Sequence, residues 1–334
     1  LVSNGLVRRL AAAAGIVLSA ALVACPAAAW PWRTRPRPDS LEYQRNWGLD
    51  AIGASAAYAA GWSGKGVRIG LVDCGVGRRG ANLGRNLSRE SADVVPVRAA
   101  HFADRHGALV AEPLAARLDG EGVVGVAYNA TLIEIRADMD GGYNGECAFW
   151  PADVARALDY AVDHRARIVV LPLQAKHPLG EAFETALRRA ADAGVVLVVA
   201  AGNDRLADPA WPARYAADPR FAADMVVAGA SSLTGEMVAW SNRAGATAAR
   251  YVLAPGEWIM ADCQKHCQLA SGTSFATPFV AGAIALMMQA HPELSGPQAA
   301  DRVLAAARPL GPAEVYGRGM LDLRRAFPSP AAAS

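Results

Sequence analysis

The run Ala270-Ser271-Gly272-Thr273-Ser274-Phe275-Ala276-Thr277-Pro278 sets a hydroxyl, that of Ser274, at the start of an apolar stretch that reads as a long helix to about Ala290. Free backbone N–H groups and the helix dipole favour negative charge at such a point, as a nucleophile making an oxyanion requires. Serine and threonine are also ordinary N-caps, which is the competing reading. Three other residues bear on the choice. Asp73 follows the run Val67-Arg68-Ile69-Gly70-Leu71-Val72, where a carboxylate either finds a partner, because burying a lone charge is costly, or caps the next turn. His106 opens the helical pattern Ala108-Leu109-Val110-Ala111. The dipole disfavours an imidazolium there, so the ring is neutral, held by an acid, or simply solvated at the surface. Asn203 follows Val199-Ala200-Ala201-Gly202 and is either a Gly-Asn turn or an amide N–H aimed at a developing oxyanion. Acid, base, hydroxyl and amide are the parts of nucleophilic acyl transfer.

The other histidines lack such a setting. His164 and His291 fall at helix C-terminal ends, His177 in a Lys-His-Pro loop, and His101 and His266 in irregular stretches. Gly75-Val76-Gly77-Arg78-Arg79-Gly80 fits a dinucleotide fingerprint after a strand, with Glu90 near the place of a ribose contact. Gly84 and the polar run Arg85 to Ser91 make a poor helix to receive a pyrophosphate, which argues against that reading. Ser274 stands in Gly-Thr-Ser-Phe-Ala and not in the Gly-x-Ser-x-Gly elbow of α/β-hydrolases.

The elements that must position these residues alternate. Val67 to Asp73, Ala130 to Ile135, Arg167 to Leu173, Val195 to Ala201 and Met225 to Ala228 are apolar and rich in β-branched residues, as buried parallel strands are. Helical patterns run near Gly107–Leu118, Ala152–His164, Leu179–Ala193, Ser274–Ala290 and Gly296–Ala306. Strands spaced by helices predict an α/β fold, a doubly wound and mainly parallel sheet with helices on both faces, whose ligands sit at the carboxyl ends of the strands. Asp73 and Asn203 fall at those ends.

The 334 residues are 53% hydrophobic and 19% charged, which suits one large globular domain. Arg8 and Arg9 followed by the apolar run Leu10 to Ala24 read as a signal peptide over residues 1–29, with Ala27-Ala28-Ala29 as the cleavage site. Leu22-Val23-Ala24-Cys25 offers the alternative of a lipoprotein box, with a signal over 1–24 and a lipid anchor at Cys25. Without the leader the charges nearly balance, so nothing points to nucleic acid. The expected localisation is export from a bacterial cell, to the periplasm or beyond, with the outer membrane reached only through that anchor. Export suits disulfides among Cys74, Cys147, Cys263 and Cys267, and Cys263 and Cys267 can close a small loop. Cys263, His266 and Cys267 make a poor zinc site, and no metal residues are assigned. Residues 30–40 read as a proline-rich lead-in, 41–327 as the globular domain, and 328–334 as a disordered tail.

With those four positions located, the chain resembles the subtilisin-like serine peptidases, or subtilases, over roughly Leu41 to Phe327. The order Asp, His, Ser is that of subtilisin. Val72-Asp73-Cys74-Gly75-Val76, His106-Gly107-Ala108-Leu109-Val110-Ala111, Ala200-Ala201-Gly202-Asn203 and Gly272-Thr273-Ser274-Phe275-Ala276-Thr277-Pro278 are similar to the family's aspartate, histidine, oxyanion and serine motifs. Gly125–Ala130, Trp240-Ser241-Asn242, Ala254-Pro255-Gly256 and the closing Tyr316–Asp322 fit as well. The resemblance implies a serine endopeptidase acting on protein or peptide substrates through a catalytic Asp73, His106 and Ser274. Asn203 and the Ser274 N–H would form the oxyanion hole, and Pro172, Leu173, Gln174, Ala200, Ala201 and Gly202 would bind substrate. It implies no cofactor; structural calcium is common in the family, but no ligand loop is assignable here. A monomer is expected.

Several positions depart from the family pattern. Cys74 replaces a Thr or Ser, giving Asp73 a weaker hydrogen-bonding neighbour. Ala108 and Leu109 replace Thr and His. Leu171-Pro172-Leu173-Gln174 replaces a Ser-Leu-Gly segment, so Pro172 keeps only its carbonyl and Gln174 fills space that glycine would leave. A narrowed or polar pocket and restricted specificity are expected. The alternative function is a peptide-binding pseudo-protease with that segment obstructing its cleft. The stretch between Ala29 and Leu41 is too short for a typical subtilase pro-segment, a layout similar to bacterial autotransporter passenger domains, but without their barrel.

Overall fold

The computed structural model describes residues 35–76, 82–96, 106–140, 147–263 and 266–328. The signal peptide, Cys25, the start of the lead-in, His101, the last four residues of the Gly75–Gly80 run and residues 329–334 lie outside them.

Seven strands form one parallel sheet: β1 (Arg68–Asp73), β2 (Ala92–Asp93), β3 (Thr131–Arg136), β4 (Ile168–Leu171), β5 (Val196–Ala200), β6 (Met225–Ser231) and β7 (Tyr251–Pro255). Their spatial order is β2-β3-β1-β4-β5-β6-β7. Every residue of β4, β5 and β6 is buried, which explains runs without polar alternation. The five longer helices are α1 (His106–Ala115), α2 (Pro151–Asp163), α3 (Glu181–Asp192), α4 (Thr277–Ala290) and α5 (Gly296–Ala306). α2 packs on α3 and covers β1 and β3, while α1 packs on α4, which lies against β4, β5 and β7. The fold is the expected α/β doubly wound sheet. Chain order turns back at β1, so the carboxyl ends of β1, β4 and β5 face one crevice.

Predicted strands and helices recur with ends shifted by a residue or a few. β2 and β7 were not anticipated, and both are edge strands. β2 has two residues, too few for a period, and β7 ends in Pro255, which is tolerated at an edge because no ladder N–H is needed there. A small antiparallel hairpin, β8 (Ile259–Ala261) with β9 (Gln268–Ala270), leads into the serine segment. Twelve of the residues of α4 are buried, so this helix is apolar all round because it threads the core.

Candidate active site

Asp73 is the last residue of β1 and only 1% exposed. Its Oδ1 accepts the Cys74 N–H at 2.7 Å, and both its oxygens lie 2.9 Å from Nδ1 of His106. The buried carboxylate thus has the partner its burial demands. His106 opens α1, its side chain 27% exposed toward the crevice, with the Phe275 ring 5.6 Å away. Gly107 makes this approach feasible: a Cβ there would sit 2.5 Å from the Gly75 carbonyl and 3.3 Å from Cβ of Asp73.

Ser274 lies in a 3-10 turn, Thr273–Phe275, ahead of α4, whose N-cap position is taken by Ala276. Its side chain caps nothing. The hydroxyl donates to the Pro172 carbonyl at 2.8 Å, so its one proton is given to the segment after β4 and not to His106. Asn203 follows β5, and its Oδ1 accepts from both the N–H and the hydroxyl of Thr273, each at 2.9 Å. With the oxygen occupied, the amide's NH₂ end is left as the donor. Asn242 braces this loop from behind: its Oδ1 accepts from the Asp204 and Leu206 N–H groups and its Nδ2 donates to the Ala201 carbonyl.

These residues share a cleft of about 690 Å³ lined by His106, Asn203, Ser274, Pro172, Leu173, Gln174 and Ala200, with Leu109 and Phe149 among its apolar walls. Ala201 and Gly202 do not line it. They are buried behind the wall, where Gly202 donates its N–H to Thr273 Oγ1 and accepts from the Asn242 N–H. Gly202 has φ +102°, and a Cβ there would meet Asn242 Nδ2 at 2.4 Å, so only glycine fits.

The reading of Cys74 as a thiol neighbour of Asp73 is corrected. Cys74 is disulfide-bonded to Cys147, a cleft-lining residue, and the carboxylate is supported by the Cys74 backbone instead. Cys263 and Cys267 form the second disulfide, which removes them as metal ligands. Among the described residues, the one group of three acidic, cysteine or histidine side chains close enough to share an ion is Asp73, Cys74 and His106. Cys74 is committed to sulfur there and Asp73 to His106, so this group does not fit a metal, calcium included. Glu90 pairs with Arg68, which leaves the rejected ribose site without its acid.

Two carboxyls near the site are raised to about 7. Burial is the main cause at Glu134 on β3, with the charge of Asp73 adding to it. Burial again leads at Glu112 on α1, partly offset by the Asp262 N–H donated at 2.7 Å. Sequence reasoning did not single out Glu112, Glu134 or Thr273, and named Cys147 only as a disulfide candidate without placing it at the cleft. Only the glycine after His106 and the threonine before Ser274 carried a local signal, as neighbours inside the motifs.

An acid-held histidine, a hydroxyl and an amide NH₂ thus share one cleft on an α/β sheet. Residues 64–319 match the model of the subtilase family. Subtilisin E of Bacillus subtilis is 28% identical over 288 residues, covering 84% of this chain and 70% of that protein. Subtilisin of Bacillus pumilus is also 28% identical over 288 residues and is 98% covered. A protease structure from Pseudoalteromonas arctica superimposes with a TM-score of 0.72 at 22% identity, covering 90% of this chain and 100% of that one, and supports the fold. The chain belongs to the subtilase family and is a subtilisin-type serine endopeptidase. The pseudo-protease alternative gains no support from these relatives.

Proposed function

We propose that this endopeptidase cleaves peptide bonds through Ser274, His106 and Asp73, with an acyl-enzyme intermediate. The observation that carries the reading is His106 Nδ1 at 2.9 Å from both oxygens of buried Asp73, its ring turned to the cleft that holds Ser274 and Asn203. Asp73 fixes the tautomer with Nδ1 protonated, leaving Nε2 as the base. For catalysis the Ser274 hydroxyl releases the Pro172 carbonyl and gives its proton to that base. Oγ attacks the scissile carbonyl, and His106 takes the proton and passes it to the leaving amine. Water then repeats the sequence on the ester. Asn203 Nδ2 and the Ser274 N–H, a first-turn group with no intrahelical partner, stabilise the oxyanion.

Substrate backbone lies along Pro172–Gln174 and Ala200, with the Pro172 carbonyl released by Ser274 as an acceptor for it. Protein side chains and one backbone N–H carry every step, so the chemistry itself calls for no cofactor. The exported peptidase domain spans 41–327 and works as a monomer on protein or peptide substrates, after removal of residues 1–29 or anchoring at Cys25. Two disulfides in the fold suit that setting. A fluorophosphonate probe should label the wild type covalently and not Ser274→Ala. Labelling retained in the variant would overturn the assignment.

A further inference from the structure

The geometry points to Gln174 as a latch that couples the size of the substrate residue before the scissile bond to the oxyanion hole. The inference rests on the catalytic reading above and adds a substrate class to it. The Gln174 side chain leaves the end of the β4 segment and reaches across to the loop after β5. Its Oε1 accepts the Asn203 N–H at 2.8 Å, and its Nε2 donates to Asp204 Oδ2 at 3.3 Å. The same Oε1 lies 3.0 Å from the point a Cβ on Gly202 would occupy, so the side chain covers Gly202. One residue thereby fixes the backbone of Asn203 and the side chain of its neighbour. The two bonds need an acceptor and a donor on one planar group, which the amide supplies at any pH. Thr273 holds Asn203 separately, at its Oδ1. The oxyanion donor is therefore clamped at its backbone by Gln174 and at its side chain by Thr273.

Substrate geometry makes the latch selective. The scissile carbon must sit at Ser274 Oγ with its oxygen toward Asn203 Nδ2. The side chain of the acyl residue then emerges between Pro172–Gln174 and Ala200–Asn203, the two segments that Gln174 joins. Glycine, alanine or serine fits with the latch closed. A large side chain displaces Gln174, breaks both hydrogen bonds and frees the Asn203 backbone. Preference for small residues is then expressed in kcat, because a displaced latch loosens a group that acts on the transition state. Gln174 is a positioning residue in this scheme, acting through Asn203.

The test compares two peptide anilides that differ only in alanine or phenylalanine before the scissile bond, with each enzyme's active fraction counted by fluorophosphonate titration. Gln174→Met fills similar space but offers no amide. It should lower kcat on the alanine substrate about 5- to 10-fold, the worth of one neutral hydrogen bond, with KM unchanged. Gln174→Gly should show the same loss on alanine while raising kcat/KM on phenylalanine. In an Asn203→Ala background, Gln174→Met should change kcat no further. An unchanged kcat in the single variant, or the full loss persisting without the Asn203 amide, would overturn the latch. Titration separates the two readings: an unlabelled wild type sinks the serine mechanism, whereas a labelled one with unresponsive Gln174 variants sinks only the latch.

Discussion

Replacing Cys74 and Cys147 together by alanine should destabilise the protein more than replacing Cys263 and Cys267, and should impair catalysis as well. The two bridges close loops of very different length, with sequence separations of 73 and 4. The chain-entropy relation assigns about 4 kcal/mol to the first and about 2 kcal/mol to the second. At roughly 2.1 cal/mol/K of unfolding entropy per residue, the larger value corresponds to a fall in Tm of about 6 °C for a chain of 334 residues. Denaturant unfolding in a Ser274→Ala background, where self-digestion is removed, would give both free energies.

Catalysis should respond to only one of the bridges. Cys74 donates its N–H to Asp73, and Cys147 lines the cleft, so the long bridge ties the acid's backbone to the cleft wall. Losing it should lower kcat, with KM rising as the wall loosens, whereas the short bridge should leave chemistry nearly intact. Equal stability losses for the two pairs would refute the loop-length reasoning. An unchanged kcat without the long bridge would refute its link to Asp73.

Three further outcomes are expected. Asn203→Ala should lower kcat by about 10²–10³-fold with little change in KM, the size known for loss of one such donor in a subtilisin; a KM effect alone would assign Asn203 to binding. Glu112→Gln should flatten a pH dependence of stability: a carboxyl raised to about 7 by burial binds its proton more tightly folded than unfolded, so stability falls as pH rises from its ordinary 4.5 to 7, by up to about 3 kcal/mol. An equal slope in urea titrations of wild type and variant would place that dependence elsewhere. Gly107→Ala should cost about 1–3 kcal/mol and lower kcat, since its Cβ would press on the Gly75 carbonyl beside Asp73; unchanged Tm and kcat would mean the turn yields freely.

The sheet was legible because buried parallel strands are written as unbroken apolar runs, and β4 and β5 are buried along their whole length. Asp73 and Asn203 were legible because each lies at or just past the carboxyl end of such a strand, and His106 because it opens a helix. β2 and β7 were not, being short or proline-ended edges whose pairing is decided by neighbours far off in sequence. The partner of Cys74 was equally hidden, since spacing does not choose among several pairings of four cysteines. Gln174 could be flagged as bulk where glycine leaves space. That its amide would reach Asn203 depends on β4 and β5 lying side by side, which is a property of the folded sheet.

Each proposed active group is held in part by residues beside it or beside another member of the site. Asp73 is supported by the N–H and bridge of Cys74, His106 by the missing Cβ of Gly107, and the serine turn by Thr273, which binds Asn203 and Gly202 together. The division follows from the chemistry. A nucleophile, base or oxyanion donor must be able to free its reacting atom, as Ser274 does by releasing the Pro172 carbonyl, so the lasting bonds that fix it are best made by other residues or by its own spare atoms, as at Asn203 Oδ1. Substitutions at Gly107 and Thr273 should therefore act on kcat by displacing a reacting atom while leaving the binding surface in place, whereas loss of the Cys74 bridge should also loosen the cleft wall. Gln174 is the instructive case, because it touches both the substrate slot and the Asn203 backbone. At that one position, the choice of substrate and the rate of its turnover are the same structural variable.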